Sequence, residues 1–142
     1  MRLMQYDNKW FRIHADAIDD GNGNIVGHWP GFSTALEVPP WQANSAADKS
    51  MYGWVPIGVP KTTDSEAYSI AAAAVRLNWD AKKTDRQFKT NDKVGQTNAP
   101  GNQPGIVVAP PAHATINMGM TFVKFGNGPP DEVSTASLIF LP

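Results

Sequence analysis

The chain has no cysteine, which excludes disulfides and thiolate–metal centres. It has no excess of one charge either: 12 Lys and Arg stand against 13 Asp and Glu, a formal net of −1. Nucleic-acid binders need clustered cations to release counterions from phosphates, and solvated disordered tails need runs of like charge. Neither pattern occurs. Long apolar runs are also missing. No window approaches the roughly 18–20 residues of a membrane span. Asp7, Lys9, Arg12 and His14 interrupt the start of the chain, where a signal peptide would place about 7–15 apolar residues. The expectation is a chain without a leader that works away from membranes and nucleic acid.

Glycine and proline are plentiful, 12 each in 142 residues, above the roughly 12 % combined share of an average protein. That surplus favours short strands and ordered loops over a helical bundle. The length suits one domain, since single cores commonly close at about 100–150 residues. No repeat and no break in composition divides the sequence, so residues 1–142 are expected to form one β-rich domain.

Residues 3–29 carry the clearest pattern. Two β-rich runs flank Asp7-Asn8, and in the second run Phe11, Ile13, Ala15 and Ala17 alternate with Arg12, His14 and Asp16. Period two of this kind marks a strand with one wet face. The turn DDGNGN then leads into a third strand, Ile25 to Trp29. Residues 30–61 lose all period: Pro30, Pro39, Pro40, Pro56 and Pro60 sit among Phe32, Trp41, Met51, Tyr52 and Trp54. They read as an apolar, proline-stiffened arm, because proline cannot donate to a ladder. Thr63 and Glu66 have capping-box spacing, and Ala67, Ile70, Ala71, Ala74 and Val75 follow a helical stripe. Val75, Leu77 and Trp79 also alternate with polar residues. A helix of two or three turns from Asp64 that gives way to a strand near Val75 satisfies both patterns. Residues 80–105 are polar and turn-rich, with a hairpin tip at 98–105. Strands follow at 106–108, 115–125 and 137–141, with GNGPPDE as a turn between the last two. The fold expected is mainly β, an antiparallel sandwich or barrel (a jelly roll being one form), with one short helix and long ordered loops.

Chemistry is sparse. His14-x-Asp16 with His113 downstream has the composition of the facial triad that holds non-haem Fe(II). A polar pair on the wet side of an edge strand explains the same residues without a metal. Asp20 and Asn22, around Gly23, match the middle of a calcium loop. The terminal ligand positions fall on Ile18 and Trp29, however, and a hairpin turn accounts for the segment. There is no Gly-x-Ser-x-Gly elbow, no phosphate-binding glycine loop and no isolated carboxylate pair. No cofactor is therefore expected.

The apolar arm and the apolar final strand shift attention to the surface. Trp41, Met51, Tyr52 and Trp54 on the arm, with Leu138 and Phe140 on the tail, are the candidates for an interface, where aromatic anchors dominate binding. The final strand is expected to present an open edge, a hazard for a lone subunit unless another chain covers it.

The segments HWPGFSTALEVPPW, YGWVPIGVP, TNAPGNQPG and STASLIFLP give the chain a style that resembles bacteriophage virion components: small, cysteine-free, β-rich, with proline-studded arms. The resemblance carries no residue roles. It implies a non-catalytic capsid, decoration or tail protein that assembles in the host cytoplasm into a virion, with copies of itself and other virion proteins as partners. A lectin-like carbohydrate-binding module is the alternative, and a non-haem Fe(II) oxygenase the third reading.

Overall fold

The first turn fixes the first sheet. Asp7 and Asn8 both lie in the left-handed region, with φ of 52 and 58°. A two-residue hairpin requires that conformation, and Asp and Asn tolerate it. In the computed structural model, which describes residues 1–33, 54–97, 104–112, 114–115 and 117–142, this turn joins β1 (Arg2–Tyr6) to β2 (Lys9–Asp19). β3 (Ile25–Ser33) and β4 (Trp54–Pro56) complete an antiparallel meander in the order β1-β2-β3-β4.

Pro30 does not end β3, contrary to the reading of the sequence. In an antiparallel strand the N–H and C=O of one residue face the same neighbour. The Pro30 carbonyl accepts from the Ile57 N–H at 2.7 Å, so the N–H that proline lacks faces just beyond β4, and pairing with β2 is untouched. The strand runs on through Phe32 and Ser33. At the other end of the expected arm, His28 and Lys61 exchange two backbone bonds of 2.8 Å. Both ends of the segment 30–61 are thus part of the sheet. Trp41, Met51 and Tyr52 lie outside the described residues.

α1 (Asp64–Lys83) is 20 residues long. The expected strand near Val75 does not form, because Val75 and Trp79 are also four residues apart and fit the helix. The Thr63 hydroxyl accepts from the Glu66 N–H at 3.1 Å, the Ala71–Ala74 run has the highest helix propensity, and Lys82 and Lys83 suit the negative end of the dipole. Ala67, Ala71, Ala74 and Val75 are fully buried. This narrow alanine face lets α1 settle on the sheet against Phe11, Ile13, Phe32 and Ile57.

The second sheet comprises β5 (Lys93–Gln96), β6 (Gly105–Val107), β7 (Met120–Phe125), β8 (Pro130–Ser134) and β9 (Leu138–Phe140). Its order is β8-β7-β6-β5-β9: four strands run as a meander, and the fifth returns to lie beside the first of them. Val94, Val107, Val123 and Leu138 form its core. Leu141 leaves that sheet to join the core under α1. The fold is mainly β, and the described residues form two antiparallel sheets and one long helix. No helix among the described residues is long and apolar enough to cross a membrane.

Candidate functional site

The residues singled out for iron chemistry do not meet at a surface. His14 is on β2, an interior strand rather than an edge, and it is 0 % exposed. Arg12 and Ser33 on the same face are 1 % exposed. The face expected to be wet is buried at these positions. The His14 Nε2 lies 3.4 Å from the Ser33 Oγ, the nearest approach to a base and nucleophile on this face. Both atoms are sealed from substrate. Asp16 stands one step further along the same face, half-buried. His113 lies outside the described residues, among which no group of three metal-binding side chains occurs.

The calcium-like turn uses its carboxylates on its own backbone. Asp20 accepts from the Asn22 and Asn24 N–H groups at 2.8 and 3.3 Å and from the Asn24 side-chain amide at 3.1 Å. Asp19 accepts from Gly21 and Gly23 at 2.6 and 3.2 Å. These bonds hold the Asp20 carboxyl below its usual pKa, the backbone bond from Asn22 contributing most. Gly21 and Gly23 take φ of 91 and 86°. The hairpin reading of Asp20 and Asn22 is the one this geometry describes.

The tail is closed from within, which corrects its assignment to an interface between chains. Leu138 and Phe140 are 7 % and 5 % exposed. Phe140 stacks on Phe88 with ring centres 4.3 Å apart, and the Arg86 guanidinium lies 4.3 Å from its centroid. The outer edge of β9 is not open either. The Asn78 amide on α1 donates to the Phe140 carbonyl and accepts from the Phe140 N–H, both at 2.8 Å. One side chain thus imitates a rung of another strand. Of the arm residues named for an interface, Trp54 has a described backbone, paired with Ser33.

The edge of the second sheet at β8 is guarded differently, by Pro130, Asp131 and Glu132. Proline and charge on an edge discourage further pairing. β1 is guarded less: its five residues, RLMQY, contain one charge and no proline, and among the described residues they pair with β2 alone. The backbone of β1 makes no other hydrogen bond among the described residues.

This open edge is also held rigidly. At one end the Arg2 guanidinium lies 4.0 Å from the Tyr68 ring centroid. At the other, the Tyr6 hydroxyl donates to both Asp80 oxygens at 3.0 and 2.8 Å. Asp7 accepts from the Trp79 indole at 2.9 Å and from Lys83 at 3.0 Å. The Trp79 and Lys83 bonds hold the Asp7 carboxyl below the usual range, and the bond to Asp80 raises the Tyr6 hydroxyl. In between, Met4 packs on the core while Gln5 is exposed. The sequence marked β1 as a strand but not as an edge, because only the sheet order shows which strand lies outermost.

A second exposed feature was also missed. Ile25, Val26 and Val59 are 55 %, 62 % and 51 % exposed. The first two stand at the start of β3, a segment the sequence marks as a strand without assigning its faces. Comparison with family models, with curated proteins and with solved structures found no match to this chain.

Proposed function

We propose that this protein is a non-catalytic structural subunit that assembles with copies of itself by strand addition at the β1 edge, in the manner of a virion capsid, decoration or tail component. The supporting observation is the contrast among edges: β8 is guarded, β9 is closed by Asn78, and β1 is guarded less yet clamped at both ends. A strand whose ends are already fixed loses little further entropy on pairing. Its sequence is self-complementary in the antiparallel sense. Pairing two copies about Met4 places Arg2 beside Tyr6 of the other copy and Leu3 beside Gln5, whereas parallel pairing would set Arg2 against Arg2. Such an isologous contact closes a two-fold dimer. Five paired residues bury little beside the roughly 1,000 Å² of a stable interface. Assembly is therefore concentration-dependent and draws on further contacts, for which Ile25, Val26 and Val59 are exposed. The setting in a virion rests on the resemblance of the sequence style.

Light scattering across a wide concentration range tests this reading. The wild-type chain is expected to self-associate, and Leu3→Lys with Gln5→Lys is expected to remain monomeric with an unchanged melting temperature. A wild-type monomer at every concentration, or association that ignores both substitutions, refutes it. Glycan-array binding by a monodisperse monomer would instead establish the carbohydrate-binding alternative.

A further inference from the structure

A cleft opens where the chain leaving β4 passes between α1 and the second sheet. Its volume is about 80 Å³, and Ile57, Val59, Ile70 and Leu141 give it apolar walls. Each sheet adds one cation: Lys61, bridged to His28 of β3, and Lys93, at the start of β5. A shallower recess of about 350 Å³ shares Lys61 and Ile70 with the cleft and adds Ser65, Glu66 and Ser69. The Lys61 and Lys93 ammonium groups take part in none of the hydrogen bonds or ion pairs of the described residues. Glu66 lines the recess and not the cleft, while Pro142 lines the cleft beside Leu141 and makes no ion pair with either lysine among the described residues.

Two cations over apolar walls select for an anion with a hydrocarbon body. We propose that the cleft binds a short aliphatic carboxylate, its oxygens held by Lys61 and Lys93 and its alkyl chain lying on Val59, Ile70 and Leu141. Charge-assisted bonds from two ammonium groups satisfy both carboxylate oxygens. A water occupies about 30 Å³ of liquid, so a cleft of about 80 Å³ admits roughly two to three heavy atoms of the alkyl chain before it must turn into the recess along Ile70. Each methylene that fits is expected to tighten binding about fourfold. Because the ligand touches both sheets, binding the folded form alone raises the melting temperature by mass action. None of this depends on the assembly reading.

Amide chemical-shift titration of the full chain with sodium acetate, propionate and butyrate tests the proposal, with 1-butanol, inorganic phosphate and sodium chloride as comparisons. The expected result is a saturable shift centred on Gly58, Ile70 and Lys93, with affinity rising from acetate to butyrate. Lys61→Met with Lys93→Met should weaken butyrate at least tenfold and leave 1-butanol unaffected. Thermal melting confirms the fold of this variant, and Lys61→Gln with Lys93→Gln serves if it is unstable. Equal response to phosphate, chloride and butyrate, shifts centred elsewhere, or undiminished butyrate binding by both double variants overturns it.

Discussion

β1 and β9 are both outermost strands, and they end in opposite ways. β9 is short and apolar, with its backbone at Phe140 taken up by Asn78 and the Leu138 and Phe140 side chains buried. β1 is longer and exposes an unpaired backbone, yet Arg2, Tyr6 and Asp7 fasten it to the same helix. The lesson is that α1 serves both edges differently. It spends a main-chain mimic on one and side-chain clamps on the other. Apolar composition alone therefore picks the wrong edge as sticky: the greasier strand is the closed one.

The comparison breaks most severely from inside the second sheet. A Cβ at Gly105 would fall on the Val123 side chain and lie 2.8 Å from Phe125 Cε1. Gly105→Ala is expected to cost about 3 kcal/mol, the upper part of the overpacking range, measured by urea unfolding, and to loosen β6 between its neighbours. Next comes Asn78→Ala, which leaves the Phe140 N–H and carbonyl without their partner. A loss of about 2 kcal/mol is expected for the two groups. Light scattering should then show new association that depends on β9, so that the closed edge behaves like the open one. Association unchanged from wild type would mean that Asn78 only stabilises and does not guard.

The clamps on β1 should respond to pH in both directions. Asp7 has a lowered pKa, so its contribution is present above the usual carboxylate range of about 4 and is lost as pH falls through its folded value. Tyr6 and Lys83 have raised pKa values, so theirs is present below about 10 and is lost as pH rises through the folded values. Amide protection at β1 should fall at both extremes, and Asp7→Asn should remove the acid limb together with the Lys83 part of the alkaline limb, leaving the part that Tyr6 contributes. The smallest effect on stability is expected at β8. Replacing Pro130, Asp131 and Glu132 together by threonine should change the unfolding free energy by less than about 0.5 kcal/mol, yet raise association measured by light scattering.

Much of the first sheet was legible in the residues. Asp7-Asn8 specified a tight turn, and the alternation from Phe11 to Ala17 specified which face meets the core. Thr63 announced the helix. Burial on the other face of β2 was not legible, since alternation separates two faces without saying that both are covered; hence His14 and Arg12 were misread as wet. β5 and β8 were missed because KVGQ and PDEVS each bring a single valine to the core, too little for any period. The long helix was cut short in the reading because 75, 77 and 79 alternate by coincidence with a four-residue helical spacing. Pro30 hid the end of β3 because the side on which a missing N–H falls is a property of the ladder. Of the proposed site, the strand was legible, while its outermost place and its fastening to α1 depend on contacts more than seventy residues apart, such as Tyr6 with Asp80.

The Asn78 link has a kinetic consequence. Its amide and Phe140 are separated by 62 positions, so the loop they close is one of the costlier ones in the molecule. The border of the second sheet can be sealed only after the helix has docked on the first. Until that moment β9 is a bare, greasy ribbon. Crowded synthesis at high temperature should therefore lose material to aggregation through a strand that, once the chain is native, lies covered by the helix and its own neighbours.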